Sequence, residues 1–266
     1  MSPIYVPGKV TLRQTWQPMD ADAAAYITAV ETADGQALEE KVKIAIDNFV
    51  LGCKADGIWS SIKASCILAG ARTLAGALVP LVGTAPTNFN FVSGDYDREI
   101  GLIGDGSTKY LDSNRNNNAD PQNSKHVAVY ASTAATGAAH CYIGAGTGST
   151  GATNLGVLQT SSKLYTRSHS ALPFNAGSVT STGLIGHSRA SSTSYLLYTQ
   201  AGSLTGTTTS QAPFNGNLHV FADNPIGAIT TSNARLAFYS IGESLDLALL
   251  DARVTDLINA IGVAIP

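Results

Sequence analysis

The chain has 266 residues, and only 13% of them are charged, which is about half the fraction in an ordinary soluble domain. The formal net charge is −3, which excludes a strongly basic nucleic-acid-binding protein because nothing could neutralise a run of phosphates. Residues 121–222 contain no Asp or Glu, so carboxylate chemistry would have to come from outside this stretch.

Residues 1–17 are predicted to form an extended N-terminal arm, since Pro3, Pro7 and Pro18 disfavour a helix. The arm is expected either to be disordered or to pair with a neighbouring molecule. It lacks the apolar core of a signal peptide, and three widely spaced cysteines form neither a disulfide framework nor a zinc motif. We therefore expect synthesis and folding in a cytoplasm.

Residues 18–83 are predicted to form a helical assembly module. Asp20 is placed to cap a first helix, which Gly35 ends. A second helix over about 36–53 carries apolar residues at spacings of three and four, which gives it one apolar face. Shorter helices are predicted over about 56–69 and 71–79.

The most apolar stretch of the chain, residues 64–83, lies within this module. Arg72 and Pro80 interrupt it, and the uninterrupted runs are too short to cross a bilayer. The sequence predicts no membrane insertion.

Residues 84–242 are predicted to form an antiparallel β-sandwich, because short β-patterned runs alternate with Gly-, Ser- and Asn-rich connections. The predicted strands are 88–92, 100–103, 109–111, 126–130, 140–143, 164–167, 183–187, 195–199, 218–221 and 236–241. The fold class is therefore α+β, with a helical module, a sandwich and a C-terminal helix in that order.

Residues 243–266 are predicted to contain the C-terminal helix. Its apolar positions alternate between spacings of three and four, as in a short coiled coil. These candidate interface residues are Leu247, Leu250, Val254, Leu257 and Ile261. They predict either a helix packed on its own sandwich or a seam between copies of the chain.

Two segments resemble the concanavalin-like, laminin-G-like jelly roll. GDGSTKYL at 104–111 is similar to an early strand of that family, and RLAFYSIG at 235–242, followed by ESL, is similar to its closing strand. The resemblance implies a jelly-roll topology for the sandwich. The final helix is longer than that family requires.

A resemblance that covers most of the chain is to structural proteins of tailed-bacteriophage and prophage virions, usually described as tail-fibre-like. It is carried by the helical stretch DADAAAYITAVETADG and its continuation to LVG at 81–83, by TAPTNFNFVSGDYDREIGLIGDG, and by RLAFYSIGESLDLALLDARVTDLINAIG. It implies a virion component, often trimeric and receptor-facing, whose partners are itself and other virion proteins. It implies no active-site residue.

Catalytic and metal chemistry find little support in the residue pattern. A glycan depolymerase normally needs two carboxylates that flank the scissile bond, and the candidates at the margins of the β region include Asp95, Asp97 and Asp112. The Asn- and Asp-rich run 112–120 offers oxygen ligands for calcium but lacks an EF-hand pattern. Since no nucleophile elbow or phosphate-binding loop occurs either, we expect no enzyme activity and no cofactor.

Carbohydrate binding fits the low-charge composition better than catalysis or metal binding does, because sugars can be bound by ring stacking and neutral hydrogen bonds. The candidate glycan or host contacts are Tyr142, Tyr165, Tyr195 and Tyr198. The same four tyrosines could equally belong to the core of the sandwich.

The leading hypothesis is a non-enzymatic, homotrimeric, tail-fibre-like virion protein that docks through its N-terminal region and presents the sandwich to a host surface or glycan. The alternatives are a capsid decoration protein on the phage head, a cellular lectin or adhesin, and a glycan depolymerase.

Overall fold

A computed structural model describes residues 16–137, 140–146, 148–157, 163–178, 182–224 and 229–265. The N-terminal arm predicted over residues 1–17 lies almost wholly outside these ranges. The described chain forms three layers: helices, a first β-sheet and a second β-sheet. No helix in the described ranges is both long enough and apolar enough to cross a bilayer.

The helices begin and end where the capping residues allow. The first, α1 (Ala21–Asp34), starts after Asp20, whose carboxylate accepts the free backbone N–H groups of the first turn, and it ends at Gly35 with a left-handed φ of 63°. The others are α2 (Glu40–Ala55), the single turn α3 (Leu74–Ala77) and α4 (Leu247–Ala264). Short 3-10 turns cover Trp59–Ser61, Ser93–Asp95 and Asn117–Ala119.

The strands are short and every pairing between them is antiparallel. They are β1 (Ile62–Ile67), β2 (Thr87–Phe89), β3 (Tyr96–Asp97), β4 (Gly101–Ile103), β5 (Tyr110–Asn116), β6 (Lys125–Thr133), β7 (His140–Ala145), β8 (Thr153–Val157), β9 (Lys163–Arg167), β10 (Phe174–Ser178), β11 (Gly183–Arg189), β12 (Tyr195–Thr199), β13 (Gly202–Gly206), β14 (Asn217–Val220) and β15 (Arg235–Gly242).

The strands divide into two sheets that pack face to face. The first sheet has the order β13-β12-β11-β6-β15-β4-β3, with β1 also paired to β15. The second sheet has the order β10-β9-β8-β7-β14-β5-β2. The predicted antiparallel sandwich with accompanying helices is confirmed at this level.

The predicted helix over 56–69 is wrong, because residues 62–67 form β1 and pair with β15 in the first sheet. All but one residue of β1 are buried. A short apolar run of this kind does not show by its periodicity whether it is a buried strand or a buried helix. The region predicted as a helical module therefore contributes a strand to the sandwich.

The helices pack on the outer face of the first sheet. The Phe49 ring of α2 meets the Phe238 ring of β15 edge-on, with centroids 5.7 Å apart, and α4 packs against α2 and β11. The five candidate interface residues of the C-terminal helix are at most 2% exposed. Other residues of the same chain therefore cover this apolar stripe. Of the two predicted arrangements, this is the helix packed on its own sandwich.

A second apolar core fills the space between the two sheets, and one end of that space is polar. There Lys125, fully buried, donates to Asp120 at 2.6 Å, and Arg115 pairs with the same carboxylate. Burial lowers the pKa of Lys125 to about 8. Burial alone would raise the pKa of Asp120, but the two cations reverse this and lower it.

Arg189 is fully buried at the same end without a carboxylate partner among the described residues. Its Nε donates to the carbonyl of Ser168, and its two terminal nitrogens donate to the carbonyls of Ser191, Ser194 and Thr208. Backbone oxygens thus satisfy a buried cation within the acid-free stretch of the chain.

Candidate functional site

The four tyrosines proposed for glycan contact are mostly core residues. Tyr142, Tyr165 and Tyr195 are 0%, 8% and 3% exposed, respectively. Tyr198 is half-buried, and its hydroxyl donates to Asp251 of α4. Tyr142 and Tyr195 therefore face the interior of the sandwich, whereas Tyr165 is buried on the outer face of the second sheet, with Arg167 lying over its ring. Little of the ring surface of these three residues is left for a ligand.

A different group of side chains is presented by the outer face of the second sheet, opposite the helical layer. Along β5, Leu111 and Ser113 are buried, while Tyr110, Asp112 and Asn114 are half-buried or exposed. This alternation follows from the two-residue repeat of a strand. One edge of the second sheet therefore presents aromatic and polar groups to solvent.

Three rings form a continuous stack on this face. The rings of Phe89 and Tyr110, which are cross-strand partners, lie 4.4 Å apart and nearly parallel at 8°. The ring of Tyr110 is stacked in turn on that of His219, at 4.7 Å and 24°. Phe89 ends the stack on the edge strand β2 and is 38% exposed. It therefore offers apolar ring surface that none of the described residues covers.

Asp112 lies beside the stack. Its Oδ1 accepts the backbone N–H of Asn114 at 2.8 Å, and its Oδ2 accepts Nδ2 of Asn217 at 3.2 Å. The imidazole Nε2 of His219 is 3.9 Å from Oδ2. Burial lowers the pKa of His219, although Asp112 opposes this change. Burial therefore favours the neutral form of the imidazole.

A patch of amide side chains continues from Asp112 along the same sheet edge. Asn215 accepts hydrogen bonds from Asn116 at 2.8 Å and from Asn118 at 3.3 Å. Asn217 connects the patch to Asp112. We call the combined surface the amide–aromatic face. It consists of Phe89, Tyr110, Asp112, Asn116, Asn118, Asn215, Asn217 and His219.

The run 112–120, which offers oxygen ligands for calcium, is divided between a strand and the turn that follows it. All four of its asparagines belong to β5 and the short turn that follows it. Asp120 is buried between Arg115 and Lys125, whereas Asp112 is half-buried on the outer face. The described residues contain no group of three His, Cys, Asp or Glu side chains placed to hold a metal ion.

The carboxylates considered for a depolymerase are not brought together. Asp95 pairs with Lys109 at 2.5 Å. Asp97, on β3 of the first sheet, accepts backbone N–H groups of the turn that follows it. Asp112 lies on the second sheet. These three residues do not form the facing pair that glycoside hydrolysis requires.

The amide–aromatic face has groups suited to a polar, ring-shaped ligand. An exposed aromatic ring can stack against the apolar face of such a ligand, while amides and a carboxylate donate to and accept from its hydroxyl groups. Nothing in the sequence singled out Phe89 or Tyr110, although Tyr110, Asp112, Asn114 and Asn116 recur at the two-residue spacing of a strand face.

No family model and no curated protein matches this chain. Among solved structures, a mutant Trypanosoma rangeli sialidase displaying trans-sialidase activity is 12% identical with a TM-score of 0.48, and the match covers 80% of this chain and 39% of that one. The binding domain of botulinum neurotoxin serotype D is 9% identical with a TM-score of 0.49, covering 74% and 51%. A Ruminococcus gnavus IT-sialidase CBM40 is 10% identical with a TM-score of 0.41, covering 61% and 95%.

These comparisons correct one prediction. The sequence predicted a protein that is not an enzyme, and the sialidases among the similar structures contradict it, so we withdraw it. This chain spans about two fifths of the length of the first of those sialidase chains. At such low identity no catalytic residue can be transferred from them.

Proposed function

We propose that this protein binds glycans through the amide–aromatic face. The observation that carries the proposal is the stack of Phe89, Tyr110 and His219, which ends in an exposed ring and lies beside Asp112 and Asn217. Stacked rings next to fixed hydrogen-bonding groups suit a sugar, which has an apolar ring face and a rim of hydroxyl groups.

The stack also limits the cost of binding. Phe89 is held against Tyr110 by ring contact, and Asn217 is held by its bond to Asp112. Side chains that are already ordered lose less conformational entropy when a ligand arrives. The face is therefore preorganised on two neighbouring strands, β2 and β5, and on β14 beside them.

We further propose that the sandwich is a concanavalin-like, laminin-G-like jelly roll and that the protein is a tail-fibre-like component of a tailed-phage particle. The segments quoted from the sequence support this proposal. In such a particle the helical layer and the N-terminal region would face sister copies or other virion proteins, and the amide–aromatic face would face the host. Because the stripe of α4 is buried within its own chain, a homotrimer would have to use another surface.

The experiment that tests glycan binding is a glycan array with the wild-type protein, followed by titration of the best ligands. Phe89→Ala should weaken binding about tenfold by removing the stacking surface, and Phe89→Trp should retain it. Leu172→Ala is the matched control, because Leu172 is exposed elsewhere, at 71%, and its loss should leave affinity unchanged.

Two results would contradict the proposal: wild-type protein that binds no glycan on the array, or equal affinities for wild type and Phe89→Ala. The proposed place in a particle has its own test. Gold-labelled antibody against the protein, imaged on virions by cryo-microscopy, should mark the tail. Labelling of the head would instead support a capsid decoration protein, and light scattering of the purified protein would show whether it is trimeric.

A further inference from the structure

The charges around the amide–aromatic face indicate which class of sugar it takes; this inference rests on the glycan-binding function proposed above. Asp112 carries a negative charge on the face, and its side chain is 21% exposed. Asn114 and Asn217 are neutral donors to its oxygens. Each carboxylate oxygen can accept more than one hydrogen bond, so Asp112 retains capacity for a donor on a ligand.

The nearby cations are committed to other carboxylates. Lys109 precedes Tyr110 in the chain but pairs with Asp95 at 2.5 Å. Arg115 and Lys125 both pair with Asp120. Of these three cations, none is left to pair with an anionic group of a ligand beside Asp112.

Another cation on the same side of the second sheet is too distant to compensate. The in-register row across the sheet runs from Asp112 through His219, Gly144 and Asn154 to Arg167. Four strand spacings separate its ends, which is about 19 Å at the usual distance between strands. That exceeds the distance over which exposed charges interact strongly at physiological ionic strength.

We propose that Asp112 makes the amide–aromatic face selective for uncharged sugars and against sugars that carry a carboxylate. A hydroxyl or amide N–H of the ligand can donate to Asp112, whereas a ligand carboxylate cannot donate and is repelled. A ligand carboxylate about 6 Å from that of Asp112, in largely aqueous surroundings, would weaken ligand binding about fivefold through this repulsion.

The test uses pairs of glycosides that differ only at C6, where a hexoside has CH2OH and the matching hexuronide has COO−. The glucose, galactose and mannose pairs are titrated against wild type, Asp112→Asn and Asp256→Asn at low salt. Wild type should prefer at least one hexoside over its hexuronide about fivefold, and Asp112→Asn should reduce that preference to less than twofold. Asp256→Asn removes the same charge from an exposed position on α4 and should keep the wild-type preference.

A salt series gives a measurement that is independent of the substitution. The preference of wild type should shrink between 20 mM and 500 mM salt, because screening weakens the repulsion. Equal or tighter hexuronide binding by wild type, or an unchanged preference in folded Asp112→Asn, would overturn the selectivity while leaving glycan binding in place. Failure of wild type to bind any hexoside or hexuronide would instead remove glycan binding, and the selectivity with it.

Discussion

The two sheets have outer faces of opposite character. The outer face of the first sheet bears Ala128, Leu184 and Phe238, which are buried beneath α2 and α4. The outer face of the second sheet bears Phe89 and Asp112 at its β2 edge, with no helix over them in the described chain. One face therefore stabilises the fold by burying apolar area, and the other keeps its side chains available to a ligand.

Two phenylalanines, one on each of these faces, contribute differently to the stability of the fold. Phe238 and Phe89 both contact another aromatic ring, but Phe238 is fully buried and Phe89 is 38% exposed. Contact with a second ring is therefore common to both. They differ because the helical layer covers Phe238, whereas no described helix covers Phe89. Substitutions can test this difference, beginning with the largest expected effect.

Phe238→Ala should lower the free energy of unfolding by about 4 kcal/mol, because it removes a buried ring and leaves a cavity under the helical layer. Phe89→Ala should lower it by less than about 1 kcal/mol, because its ring is partly in water already. Urea denaturation followed by circular dichroism measures both. Similar losses for the two variants would show that the second sheet depends on its outer face as much as the first does.

Asp120→Asn should lower the free energy of unfolding by about 3 kcal/mol, because Lys125 and Arg115 would lose the carboxylate that neutralises them inside the sandwich. Adding Lys125→Met to this variant should recover part of the loss. The exposed Asp256→Asn serves as the reference and should change stability by less than about 0.5 kcal/mol. A double variant no more stable than Asp120→Asn would argue against a buried charge as the cause.

His126→Gln should reduce the loss of stability in mild acid. The Nδ1 of His126 is 2.5 Å from the carbonyl of Glu243, and its Nε2 is 2.8 Å from the hydroxyl of Ser240. This arrangement suits a neutral ring that donates once and accepts once. Burial lowers the pKa of His126 from 6.5 to about 4.

The unfolded chain therefore takes up a proton as the pH falls below 6.5, while the folded chain does so only near pH 4. This group's contribution to stability is complete above pH 6.5 and decreases as the pH falls towards 4. At pH 5 the decrease is about 2 kcal/mol. Urea midpoints at pH 7 and pH 5 should differ less in His126→Gln than in wild type, and an equal difference in both proteins would rule out His126 as a source.

Several features of the fold could be predicted from the sequence because their signals are local. Asp20 and Gly35 mark the ends of α1, and each of the ten predicted strands coincides with at least part of an observed one. Besides β1, which was predicted as a helix, strands β3, β8, β10 and β13 were missed. Of these, β8, β10 and β13 consist largely of Gly, Thr, Ser and Asn, and their strand conformation depends on pairing with neighbours rather than on residue preference.

The candidate site could not be predicted because it depends on which side of a sheet is covered. Tyr195 looked suitable for a ligand, but its hydroxyl donates inside the sandwich to the carbonyl of Thr166 at 2.9 Å. Tyr110 looked like an ordinary strand residue and lies on the face that the helices leave open. The alternation of side chains along a strand shows which residues share a face, but it does not show which face is exposed to solvent.

The pairing of β1 with β15 also constrains the order in which the protein can fold. Cys66 and Tyr239 are partners in this pairing and lie 173 residues apart. Since β15 lies between β6 on one side and β4 and β1 on the other, the two parts of the first sheet cannot join until β15 has been synthesised. During translation β6 therefore keeps an unpaired edge, which is open to association with other chains.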